Sequence, residues 1–236
     1  MSDHHRETFI TKYIFSQDHK MIAKQFLITG MIMAVIGMLM SAMFRVQLAN
    51  PGESSILYNL LPSGWLNENG VLEPDKYLAL VTMHGTILVF WVLTAGLTGT
   101  FANFLIPLQI GARDMASGFL NMLSYWFFFA ATVVLVSSIF YDDPTTIGVV
   151  DGPASGGWTI YPPLSALPDA ILGSGGGMTL WLISIVLFIV GSLLGGLNYI
   201  VTVLNLRTKG MSMRRLPLTI WSLFLTAILE FYLSQY

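Results

Sequence analysis

Five long apolar runs, separated by polar stretches, organise the chain. They lie at about 22–44, 78–108, 119–140, 178–206 and 216–236. A helix needs about 20 apolar residues to cross the hydrocarbon core of a bilayer. Strands exposed to lipid would leave backbone groups unpaired, so the runs are read as helices. The pattern predicts an all-α, polytopic transmembrane helix bundle of about five spans over residues 22–236, preceded by a cytoplasmic N-terminal segment, 1–21. The stretch FITKYIFSQDHKMIAKQF, 9–26, mixes aromatic, aliphatic and basic residues and is expected along the membrane interface.

Composition sharpens the class. Hydrophobic residues make up 54% of the 236, charged residues 10%, and mean hydropathy is +0.68. Soluble domains carry about a quarter charged residues, so the expected partner is the lipid bilayer, and no nucleic acid is expected. The chain has no cysteine, which excludes disulfides and Cys-ligated metals. The polar N-terminus lacks the form of a signal peptide. Nine of the eleven basic residues (Arg6, Lys12, Lys20, Lys24, Arg113, Arg207, Lys209, Arg214 and Arg215) fall on one side of the expected membrane. The other side holds Arg45, Lys76 and the acidic residues Glu53, Glu68, Glu73, Asp75, Asp142, Asp143, Asp151 and Asp169. The positive-inside rule then makes the N-terminus cytoplasmic. Tyr58, Trp65, Trp158 and Tyr161 in the outer loops suit headgroup depth.

Small residues recur four apart: Ala95 with Gly99, Gly96 with Thr100, and Gly191 with Gly195. That spacing fits close helix packing, and equally a flat cofactor wedged between helices.

Polar residues inside the runs carry the chemistry. His84 stands alone in YLALVTMHGTILVF. It could bond a neighbouring helix, relay protons, or ligate a metal or haem iron. Arg45 ends the first run, as an interfacial arginine or as a cation beside a buried cofactor. Asp114 precedes Asn121 by seven residues; on one helix, both would share a face about 10 Å apart. With Asn103 and Asn198 they could seat a file of waters for protons, or Asp114 could simply cap the third helix.

At these residues the chain resembles a known family. TMHGTILVF, FANFLIPLQIGARDMASGFLNMLSYW, SGGWTIYPPLS, GGLNYIVTVLNLRTKGMSMRRLPLTIWSLFLTAIL and FRVQLANPGE are similar to subunit I of the haem–copper oxidases, of the bacterial cytochrome c oxidase type. The resemblance runs from about Thr11 to Leu229. It implies that His84 is an axial ligand of a low-spin haem, of the haem A kind, and that Arg45 contacts that haem. It places Trp158 and Tyr161 in the loop over the haem propionates. Asp114 becomes the mouth of a proton pathway, with Asn103, Asn121 and Asn198 above it. It further implies subunits II and III as partners, cytochrome c as electron donor, reduction of oxygen to water with proton pumping, and a bacterial inner membrane location. A quinol oxidase of the same fold and a fragment without cofactor are the rival readings.

Family members have roughly twelve spans of about 20 residues each, against the five read here. The chain carries His4, His5, His19 and His84, of which His84 alone lies in an apolar run. Copper and a second haem need more imidazoles than that. The high-spin haem and copper are therefore expected only in a complete subunit, and this chain is expected to be a truncated, split or frameshifted part, inactive by itself. DMASGFLNM lacks the proline that relatives carry after this aspartate, and Gln47 stands where some relatives have a metal-binding glutamate. Glu230 falls inside the fifth run, where a carboxylate is costly.

Overall fold

The structure, a computed structural model, describes residues 8–141, 152–167, 170 and 175–233. Asp142, Asp143, Asp151, Asp169, residues 1–7 and the last three residues of the fifth expected span lie outside the described residues. The chain is all-α as expected: five long helices and several short turns, with no strand among the described residues beyond one isolated bridge, Leu66 to Leu72.

Helix α1, His19–Ala49, starts before the apolar run, at a charged cap. The Asp18 carboxylate accepts from the Met21 amide at 3.1 Å, satisfying one of the donors a helix start leaves open. It ends ahead of Pro51, which disfavours helix at the residue before it. Helix α2, Pro74–Ile110, begins with Pro74 at its first position, where a missing amide hydrogen costs nothing. Its middle, Ile87–Gly99, is wound as a π-helix. The Ile87 amide, at the switch, bonds both the Met83 and His84 carbonyls. Stretches of this winding are rare and concentrate at functional places. Gly111 ends α2 at φ 74, a left-handed conformation that glycine adopts without strain. Helices α3, Gly118–Ile139, and α4, Gly176–Asn205, follow. Helix α5, Leu218–Leu233, has 16 described residues. Helices α1 to α4 are long and apolar enough to cross a membrane; α5 is apolar but shorter.

The chain divides into two compact units. The first combines residues up to 30, 94–129 and 187 onward. Its core joins Ala102, Ile106 and Ile110 of α2, Tyr199 and Val203 of α4, and Ile220, Phe224 and Ala227 of α5. Two of the small residues explain close approaches here. A Cβ on Gly191 would stand 3.0 Å from the Ser124 carbonyl oxygen, and one on Gly99 would stand 2.8 Å from the Phe26 ring. Small residues let helices pack at that range.

The second unit combines residues 31–93 and 130–186. Its helices are tied by indole donors: Trp91 Nε1 to Thr132 Oγ1 at 2.9 Å, and Trp181 Nε1 to Thr86 Oγ1 at 3.1 Å. Buried indole nitrogens need such partners. Between α1 and α2, Tyr58 is 1% exposed and donates its hydroxyl to Gln47 Oε1 at 2.9 Å. Burial pushes the Tyr58 phenol above its ordinary pKa.

Candidate functional site

In the second unit, α1 and α2 position His84. Its Nδ1 lies 2.8 Å from the Gly37 carbonyl oxygen. A carbonyl only accepts, so Nδ1 carries the hydrogen, and in the neutral ring Nε2 carries the lone pair. Nε2 has no hydrogen-bond partner among the described residues. Phe44 meets the imidazole edge-on, centroids 5.3 Å apart. A backbone carbonyl on one ring nitrogen, holding the ring and leaving the other nitrogen open, is the arrangement that metal-ligating histidines use. The residues present therefore fit an iron ligand.

Gly37, Ser41, Phe44 and Arg45 are spaced to share one face of α1. Arg45 is exposed and donates Nε to Ser41 Oγ at 3.2 Å. Trp158 reaches the neighbour of His84: a Cβ on Gly85 would stand 3.0 Å from its indole. The loop is pinned there by the Gly157 amide, which donates to Thr82 Oγ1 at 2.8 Å. Tyr161 is 73% exposed and makes no hydrogen bond or ring contact with His84, so the structure brings Trp158 to this place and not Tyr161. Between them Ile160 has φ 37, a strained conformation for a β-branched residue.

In the first unit, Asp114 is not on α3, which begins at Gly118; it lies in the link after α2. The shared helical face expected for Asp114 and Asn121 is thus absent. Ser117 starts α3 instead, its Oγ accepting from the Leu120 amide at 3.2 Å. Asp114 caps α1 rather than α3: Oδ1 accepts from the His19 amide at 3.3 Å and lies 3.1 Å from His19 Nδ1. Asp18 joins them, 3.7 Å from the same nitrogen. These three are the one group of clustered titratable residues among those described that could hold a metal ion.

Above Asp114 the three asparagines are all buried but not equivalent. Asn198 pairs with the backbone of Ser117, accepting its amide at 2.9 Å and donating to its carbonyl at 3.1 Å. Asn103 donates to Tyr199 Oη at 3.1 Å and to the Gly99 carbonyl at 2.7 Å, leaving Oδ1 without a partner. Among the described residues neither polar atom of the Asn121 side chain has one. Buried polar atoms in that condition are where internal water binds. Sequence reasoning missed His19, Ser117, Tyr199 and Thr202 here. The one available signal was the acidic–basic pair in SQDHK, which reads as an ordinary helix start.

Against known families, the model described as Cytochrome C and Quinol oxidase polypeptide I matches residues 21–234. The chain belongs to this family. Similar proteins include the alternative cytochrome c oxidase subunit 1 of Bradyrhizobium diazoefficiens, 41% identical over 96% of this chain and 34% of the relative. Cytochrome c oxidase subunit 1 of Synechocystis is 33% identical over 97% of this chain and 36% of its own length. That of Cereibacter sphaeroides is 35% identical over 95% and 40%. The chain thus spans little more than a third of these relatives, and corresponds to an N-terminal portion of the oxidase polypeptide. Its apolar helices and this family fit a multi-pass membrane protein.

Proposed function

We propose that this chain forms the N-terminal part of the catalytic subunit of a respiratory terminal oxidase, and that His84 Nε2 is one axial ligand of its low-spin haem. The observation that carries the reading is the open Nε2 of a ring held by the Gly37 carbonyl. The relatives' names supply the donor and the reaction class, oxidation of cytochrome c; in this reading its electrons pass to oxygen, giving water. Bound there, a low-spin haem would accept and pass on single electrons. His84 would hold the iron from one side, with ring orientation set by Gly37 and Phe44. Arg45 lies about two turns along the same face of α1, where its charge would meet polar groups on the haem edge, and Trp158 would cover the side nearest Gly85. The opposite ligand, the high-spin haem and copper would be held by the remainder of the subunit, and subunits II and III would assemble around it.

Protons would be taken up at Asp114. Its carboxylate is part exposed, so it meets bulk water, and His19 Nδ1 holds it in place. Waters bound to the open atoms of Asn121 and Asn103 would carry protons inward. In this orientation the N-terminus, residues 1–21 and Asp114 face the cytoplasm, and the membrane is the bacterial inner membrane. The test is the absorption spectrum of the membrane assembly containing this chain. His84→Ala should abolish the low-spin haem bands while the high-spin bands remain; an unchanged low-spin spectrum would overturn the assignment.

A further inference from the structure

The loop that brings Trp158 to the turn of His84 lies along α2, and its far end meets a buried lysine. Lys76 is 9% exposed and stands in the first turn of α2. Both facts count against a lysine: a cation opposes the partial positive charge of a helix start, and lysines are seldom buried unless paired. Asp75 supplies one partner, its Oδ2 3.4 Å from Lys76 Nζ. An ammonium has three hydrogens to place, and one carboxylate at that range leaves donors over. What Nζ meets next is the loop. A Cβ on Gly152 would stand 3.0 Å from it, so glycine there lets the loop backbone come down onto the amino group.

From another side Gly152 is met by α4. A Cβ on Gly177 would collide with the Gly152 carbonyl oxygen and stand 3.0 Å from Pro153 Cα. The loop is thus gripped between Lys76 and the start of α4, and the next residues along it, Ala154 and Ser155, are buried. Its second fastening is the Gly157 amide on Thr82 Oγ1 at 2.8 Å, about 9 Å along α2 from Lys76. That hydroxyl is itself held, donating to the Leu78 carbonyl at 2.9 Å. Trp158 follows at once, against Gly85 and edge-on to Phe90 with centroids 6.1 Å apart.

We propose that Lys76 is a positioning residue of the His84 site: with Thr82 it fastens residues 152–158 along α2 and so holds the Trp158 indole against the turn that carries the imidazole. The inference rests on the reading of His84 as an iron ligand. The shell around a metal sets the access of solvent to it, and with that its potential. Water admitted beside the iron favours the more highly charged, oxidised form, so a loosened loop lowers the midpoint potential.

Hydrogen-exchange mass spectrometry and a redox titration of the low-spin haem, both on the membrane assembly containing the full chain, test it. Lys76→Met keeps the apolar stem and removes the donors. It should speed exchange of the Gly157 amide about tenfold or more, the size expected when a hydrogen bond from a charged group is lost. Thr82→Val, which removes the acceptor at the second fastening, should do the same. Both should lower the midpoint potential. In a Trp158→Ala background neither should lower it further, because the effect runs through the indole. Unchanged Gly157 exchange in Lys76→Met would overturn Lys76 as a fastening. A fall in potential that persists in full in the Trp158→Ala background would overturn the positioning role, since the lysine charge would then act on the iron directly. If His84→Ala leaves the low-spin centre intact, the iron-ligand reading fails, and the exchange measurement still decides whether Lys76 fastens the loop.

Discussion

The two units handle polarity inside an apolar chain in opposite ways. Around Asp114 and the asparagines, polar side chains close on one another and on backbone: His19 on Asp114, Asn198 on Ser117, the Ala116 amide on Thr202. What stays open is a set of amide atoms suited to water. Around His84 the indole and phenol donors each reach a side chain, Trp91 to Thr132, Trp181 to Thr86 and Tyr58 to Gln47, and one imidazole nitrogen stays open. The first arrangement supplies its own partners and needs only solvent. The second, on the proposed reading of His84, is half of a binding site. A network can be weakened at many points, whereas a half-site is lost with one atom.

The largest expected effect probes that difference. His84→Gly should remove the low-spin haem signature entirely, and added imidazole should restore it, since the missing function is one nitrogen lone pair. Failure of rescue with a folded protein would mean that the ring acts by packing on Phe44 rather than by ligation.

Next is Asp114→Asn, which keeps the shape and removes the charge. In the intact assembly, turnover or proton pumping should fall about tenfold or more. Normal turnover with normal pumping would separate this aspartate from proton uptake.

The asparagines then divide. Asn198→Ala strips both partners from the Ser117 backbone and should cost about 1–3 kcal/mol in a detergent unfolding titration. Asn121→Ala should change stability far less, because its side-chain amide has no partner among the described residues, while slowing proton uptake. Equal stability losses would erase the distinction between a structural and a water-holding amide.

The smallest effect lies in the second unit. Tyr58→Phe removes one hydrogen bond, worth about 1 kcal/mol. Because burial raises the Tyr58 phenol, the unfolded chain loses that proton first as pH rises. Stability should therefore decline above about pH 10 in the wild type, and less steeply in Tyr58→Phe.

Much of this was legible in the residues. The apolar runs announce α1 to α4 because span length is a strong constraint, and their ends blur because the caps lie outside the apolar pattern: Asp18 and Asp114 extend α1 to His19. His84 stands out because a lone imidazole in an apolar run has no local partner; that its partner is the Gly37 carbonyl depends on how α1 packs against α2. Asp114 was visible as a lone carboxylate, but its placement was not. Ser117 and Gly118 move the start of α3 past it, and Gly118 sits so near Gln17 that a Cβ would stand 2.9 Å from the Gln17 carbonyl oxygen. His19 lies ahead of the apolar runs with nothing local to single it out, since the contact with Asp114 spans 95 residues of sequence. The asparagines look alike in sequence, and only packing separates Asn198 from Asn121.

The central claim concerns which nitrogen of His84 is open. Nitrogen-15 hyperfine spectroscopy of the oxidised low-spin centre, in the assembly with labelled histidine, addresses it directly. The account predicts a strongly coupled Nε2 from His84 and a weakly coupled, proton-bearing Nδ1 bonded to the Gly37 carbonyl, both lost in His84→Gly. A low-spin centre whose nitrogen couplings are the same with and without His84 would contradict it.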